Sequence, residues 1–248
     1  MNNSTIHIGT SGWSYRHWAD VFYPQHVKPA GYLEYYVTRF GCVELNSSFY
    51  HLPKKTTISG WMKRTPVNFR FCPKISGYIT HHIRLVNSDE SLKKFFNLFS
   101  DMKSKLGPVL IQLPPGLVFK KNVITDFFEI LEEHYGDYSF AIEARNKSWI
   151  NDECFNLLKK YNVAHVIADS GERFPYSETI TADFIYLRFH GHEQLYASDY
   201  SESEIERYAD KILKWKSGGR HIWVFFNNDF NGFAVKNASR LIELTGAY

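Results

Sequence analysis

Short runs rich in valine, isoleucine and phenylalanine recur along the chain. They read as strands at 6–10, 42–47, 69–75, 108–113, 139–145, 164–169, 184–191 and 222–228, because β-branched and aromatic side chains suit a pleated, half-buried surface. Between most of them the apolar residues repeat every three to four positions, the period of a helix with one buried face. These segments lie at 32–40, 88–107, 122–136, 151–162, 201–219 and 233–246. The second opens on Ser88 and closes on Gly107, which fits a capped start and a C-terminal glycine. The connection at 170–183 carries no long helical stripe and contains Pro175, so its helix is expected to be missing or reduced to a turn.

Strands that alternate with helices over 248 residues have the size and rhythm of an α/β (β/α)8 TIM-like barrel. Short crossovers make the strands parallel and the connections right-handed. A doubly wound open sheet is the alternative, but "GTSGW" after the first strand is not the glycine-rich phosphate loop that fold would want. With no linker, repeat or low-complexity segment, residues 1–248 are expected to form one domain.

The stretch "VELNSSFYHLP" at 43–53 starts as a strand and then changes character. Glu44 and Asn46 share one face of it, although both types are poor strand formers. The same happens late in the other strands, where a parallel barrel builds its active face: Lys74, Gln112, Glu143 with Arg145, Asp169, Arg188 with His190, and Asn227 with Asn228. If these faces point inward they converge on one mouth. Buried charge is costly unless paired, so the cluster needs either an internal network or a ligand. The following loops are aromatic. Trp13, Tyr15, Trp18, Phe49, Tyr50, Trp149, Tyr196 and Phe230 are candidates to wall a pocket, with about half expected only to pack loops onto the rim.

Composition narrows the partners. Apolar residues at 44% and charged residues at 22% are ordinary for a globular protein, and a formal net charge of +3 gives nucleic acid only weak support. Cys42, Cys72 and Cys154 are far apart, which argues against a disulfide framework and against a zinc motif. No stretch has the length and apolarity of a membrane helix, and the start lacks a signal-peptide pattern, so a cytoplasmic setting is expected.

Seven blocks together resemble the YecE-like family, domain of unknown function 72: "GTSGWSYRHWADVFYP", "ELNSSFYHLP", "FRFCPKIS", "LGPVLIQLPP", "RNKSW", "RFHG" and "FFNNDFNGFAVKNA". They follow the family's order over nearly the whole chain. The resemblance implies a TIM-like barrel and no particular reaction. Where family members usually read Arg-His-Pro-Ser-Trp, this chain has Arg145-Asn146-Lys147-Ser148-Trp149, which counts against an essential imidazole at that place.

The residues favour an enzyme acting on a phosphate-bearing ligand, such as a sugar phosphate or a nucleotide. Lys74, Arg145 and Arg188 would hold the anion, because guanidinium groups match phosphate geometry. Glu44, Glu143 or Asp169 would serve as base and His190 would move protons. Asn46, Gln112, Asn227, Asn228, Trp13, Tyr50 and Trp149 would contact the ligand. A structural pairing of Arg188 with a carboxylate is the competing reading of that residue. Two alternatives remain: a glycosidase-like hydrolase using Glu44 and Glu143, and a binding module for a small molecule or nucleic acid without catalysis. His190-Gly191-His192 has a ligand-like spacing, but Arg188 beside it repels a cation, so no tight zinc site and no cofactor is expected, while magnesium held by carboxylates stays an open alternative.

Overall fold

The computed structural model describes residues 4–247. Its eight strands are β1 (Ile6–Ser11), β2 (Cys42–Leu45), β3 (Arg70–Pro73), β4 (Val109–Gln112), β5 (Phe140–Glu143), β6 (Ala164–Asp169), β7 (Phe184–Phe189) and β8 (His221–Phe226). They pair in parallel in the order β3-β2-β1-β8-β7-β6-β5-β4. Successive strands are neighbours and β8 returns to β1, with Ile6 opposite Ile222 and Thr10 opposite Phe226. The outer strands β3 and β4 meet through two isolated bridges, Phe71 with Leu106 and Lys74 with Leu110. Gly107 N–H donates to Phe71 O and Ile75 N–H to Leu110 O, both at 2.9 Å. The sheet is therefore a nearly closed TIM-like barrel with one thin seam, and the open-sheet alternative falls.

The helices are α1 (Tyr32–Tyr36), α2 (Ser47–Tyr50), α3 (Lys55–Lys63), α4 (Asp89–Phe99), α5 (Lys121–Tyr135), α6 (Asp152–Lys160), α7 (Glu202–Ser217) and α8 (Phe233–Thr245). No helix interrupts residues 170–183, as the missing stripe implies. The expected helix at 88–107 is shorter: α4 ends at Phe99 and a 3-10 turn, Ser100–Lys105, takes the chain to the seam. Ser88 occupies the N-cap position of α4 without making a side-chain cap bond. Gly107 is not a helix cap either. A Cβ there would lie 2.6 Å from Cys72 Sγ and 2.7 Å from the Trp223 ring, so the seam admits only glycine without a shift.

Alternation divides the buried side chains into two sets. One lies between sheet and helices. The other fills the barrel with Cys42, Cys72, Leu110, Ala141, Val166, Ala168, Tyr186, Trp223 and Phe225. Residues two positions further along the same faces form the floor of the C-terminal mouth. Cys42, Cys72 and Cys154 are buried free thiols. No helix among the described residues is long and apolar enough to cross a membrane.

Candidate functional site

The C-terminal end of the barrel opens into a cavity of about 490 Å³ lined by Tyr15, Asn46, Phe49, Tyr50, Lys74, His81, Gln112, Arg145, Arg188, Tyr196, Asn227 and Asp229. Beneath it lies a buried charge network. Glu44 and Glu143 are fully buried and Arg188 is 1% exposed. Arg188 from β7 forks onto Glu44 from β2, Nη2 to Oε1 at 2.7 Å and Nε to Oε2 at 2.9 Å, and its Nη1 also donates to Glu143 from β5. Ser11 Oγ at 2.8 Å and the Tyr186 hydroxyl at 2.9 Å complete the acceptor capacity of Glu44. Arg145 Nε donates to the other oxygen of Glu143 at 2.9 Å.

This network decides which groups remain reactive. Burial opposes ionisation of Glu143, but Arg188, His190 and Arg145 outweigh it and hold its carboxyl well below the usual range. His190 lies in the floor with no exposure. Its Nε2 is 3.2 Å from Glu143 Oε2 and its Nδ1 accepts from Asn227 Nδ2 at 3.1 Å when that nitrogen is unprotonated. Burial lowers its pKa, with Glu143 working in the opposite direction. Glu44, Glu143 and His190 thus meet as expected, but they sit under the cavity rather than in its wall. Arg188 reaches the cavity with its hydrogen-bonding fork engaged by carboxylates, the competing arrangement for that residue.

Lys74, at the end of β3, stands differently. Its Nζ donates to Gln112 Oε1 across the seam at 2.6 Å and lies 3.9 Å from the Phe49 ring centre. Burial first, and then the nearby Arg188 guanidinium, bring its pKa down to about 7, against the pull of Glu44 and Glu143. Arg145 packs its guanidinium 4.0 Å over Phe174. Its Nη1 and Nη2 have no hydrogen-bond partner among the described residues. Asp229 has its carboxyl pushed up by burial, with the His17 imidazole 3.4 Å away on the rim.

Several expected site residues lie elsewhere. Asp169 is outward because β6 turns Val166 and Ala168 into the barrel and its last residue to the helices; its carboxylate accepts from the Tyr208 hydroxyl of α7 at 2.6 Å. Asn228 is buried against α8, donating to Ser198 O and Asn237 Oδ1 at 2.9 Å. Trp13 packs edge-on to Trp61, and Trp149 is sealed with its indole N–H on Leu117 O. Four of the eight candidate aromatics, Tyr15, Phe49, Tyr50 and Tyr196, line the cavity. Asp229, among the polar residues at the end of the last strand, joins the cavity, and so does His81, which was not anticipated. Asp229 follows two asparagines at a strand end, a signal available in the sequence. His81 arrives through an irregular helical turn, Tyr78–His82, which no periodicity announces. Among the described residues no three His, Cys, Asp or Glu side chains cluster as metal ligands.

The family model for a protein of unknown function, DUF72, matches residues 7–248. The chain belongs to the DUF72 family. It is 26% identical to the UPF0759 protein YunF of Bacillus subtilis, over 96% of this chain and 94% of that one. It is 28% identical to the UPF0759 protein YecE of Escherichia coli K12, over 66% of this chain and 59% of that one. A DUF72 family crystal structure from Thermotoga maritima superposes with a TM-score of 0.88 at 29% identity, covering 98% of this chain and 99% of that one. One from Enterococcus faecalis gives 0.84 at 22% identity, with 98% and 96% covered, a likeness of fold. This chain's barrel thus carries its charge network at the end where parallel barrels place their chemistry.

Proposed function

We propose that the cavity is the active site of an enzyme acting on a small ligand that bears a phosphate or comparable anion on a sugar-like or nucleotide-like body. The observation that carries the reading is the division of charge at the mouth. Both floor carboxylates are engaged by Arg188, whereas the outer edge of Arg145 and the Lys74 amine keep donors for a ligand. A fork of guanidinium N–H groups matches an oxyanion, and a half-buried setting strengthens the contact. Tyr15, Phe49, Tyr50 and Tyr196 supply flat faces for a ring. Lys74 and Asp229, with pKa values displaced towards neutrality, are the groups placed to move protons.

A glycosidase reading gains little from this geometry. Its acid and base would be Glu44 and Glu143, and both are sealed beneath the cavity with their oxygens occupied. Thermal denaturation with inorganic phosphate, sugar phosphates, nucleotides and neutral glycosides tests the choice. Phosphate-bearing compounds should raise the Tm of the wild type, and Arg145→Gln should weaken that binding about 30- to 5000-fold, the range for losing a charged contact. Protection by neutral glycosides alone would overturn the anion reading.

A further inference from the structure

We propose that Lys74 is a carbonyl-trapping amine, whose Nζ forms an imine with an aldehyde or ketone carrying its anionic group towards Arg145. The anionic half of this inference rests on the reading above; the imine does not. A buried lysine kept for its charge needs a carboxylate. Both carboxylates near Lys74 are otherwise engaged, Glu44 by Arg188, Ser11 and Tyr186, and Glu143 by Arg188, Arg145 and His190. What Lys74 has instead is a neutral amide oxygen, Gln112 Oε1, at 2.6 Å. No salt bridge joins it to a carboxylate among the described residues. The Phe49 face favours the ammonium only weakly beside a full counter-charge. The charged and titratable groups around it are Arg188, Glu44, Glu143 and Arg145, with His81 also close. Burial and the two guanidiniums prevail, consistent with a pKa near 7. A single N–H bond to Gln112 orients the nitrogen while its lone pair remains available to the cavity.

The step balances without an oxidant or reductant. The amine lone pair attacks the carbonyl carbon, and the carbonyl π pair moves onto oxygen. Both amine protons then leave with that oxygen as water as the C=N bond forms. Asp229, lining the same cavity with a raised pKa, is placed to relay the proton to the departing oxygen.

The test is reductive trapping at pH 7. Wild-type protein is incubated separately with pyruvate, dihydroxyacetone phosphate and propanal, reduced with borohydride, digested and mapped by mass. The expected result is one adduct per chain, at Lys74, formed about 100-fold or more faster than on any surface lysine. A group with pKa near 7 is roughly half neutral at pH 7, and an ordinary lysine is neutral at about one part in a thousand. Lys74→Arg should remove the adduct, and mapping in the wild type does not depend on how that variant folds. Arg145→Gln removes a guanidinium that also disfavours the Lys74 ammonium, so it should slow trapping by every probe, and by a larger factor for dihydroxyacetone phosphate than for propanal. Adducts scattered over surface lysines, or none on Lys74 with all three probes, would overturn the imine. If phosphate protects against heat while no probe marks Lys74, the anion site stands and the imine falls. If propanal marks Lys74 while phosphate neither protects nor competes, the imine stands and the anion reading falls.

Discussion

Arg188 and His165 show opposite ways of holding a titratable group in a barrel. Arg188 is matched by two carboxylates, so removing it strands Glu44 without a cation and leaves Glu143 only Arg145 and His190. Arg188→Ala should therefore lower unfolding free energy by about 3–5 kcal/mol in urea denaturation, the scale for breaking a buried pair from one side. Arg188→Lys should recover only part, because an ammonium cannot reproduce the fork on Glu44. A loss below about 1 kcal/mol would mean the network does not hold the barrel. His165 is buried and neutral, edge-on to Phe155, and burial pushes its pKa down to about 4. Because its folded pKa lies below the unfolded value near 6.5, the unfolded chain takes the proton first as pH falls. Stability should then drop between pH 6.5 and 4 by about 3 kcal/mol from this residue, and His165→Gln should flatten that slope in a pH series of denaturation curves. An unchanged slope would place the acid sensitivity elsewhere. Glu143 adds a lower window: its carboxyl is held well below the unfolded value, so its contribution is present above about pH 4.5 and fades below it.

Among the elements, the seam between β3 and β4 is the weak joint. Elsewhere the strands share continuous ladders, as β7 and β8 do from Phe184–His221 to Phe189–Phe226. Here two isolated bridges replace the ladder. Amide exchange should accordingly be faster at Ile75 and Gly107, whose N–H groups make the seam bonds, than at buried amides of β7 and β8. Equal protection would show that flanking side chains supply what the ladder lacks. The eight strands were legible because their runs are short, branched and aromatic, and the absent helix at 170–183 because no stripe and one proline stand there. The seam was not legible, since nothing in "FRFCPKI" or "PVLIQL" reveals which edge pairs badly. α3 escaped because "KTTISGWMK" carries two threonines and Gly60, poor helix formers, and it is held by burial of Ile58 and Trp61 at i,i+3 spacing. Inward parity correctly grouped Glu44, Glu143, Arg188 and His190. It also bears on Asp169: with Val166 and Ala168 inward, the next residue faces out. Gly191 has φ +86°, and a Cβ there would meet Gln194 O at 2.7 Å, so its glycine serves the turn rather than a ligand's approach.

For the molecule as a whole, the weak joint and the cavity coincide. Lys74 directly follows β3, Gln112 ends β4, and their hydrogen bond crosses the seam at the cavity floor. Arg145 follows β5, the next strand round. A ligand that engages Lys74 and Arg145 together therefore bridges the two edges of the sheet. Binding to the folded form alone raises stability by about 2.7 kcal/mol at a hundredfold excess over Kd, wherever the ligand sits. The position of the site adds a local signature to that general gain. With dihydroxyacetone phosphate at saturation, exchange at Ile75 and Gly107 should slow by a larger factor than exchange at the core amides of β7 and β8. Within those strands only Arg188 lines the cavity, and it is already locked by its carboxylates. Arg145→Gln should weaken the affinity and shrink the seam-specific part with it. Protection spread evenly over all eight strands would indicate a ligand bound without spanning the seam, and protection confined to β7 and β8 would move the anion contact back to Arg188.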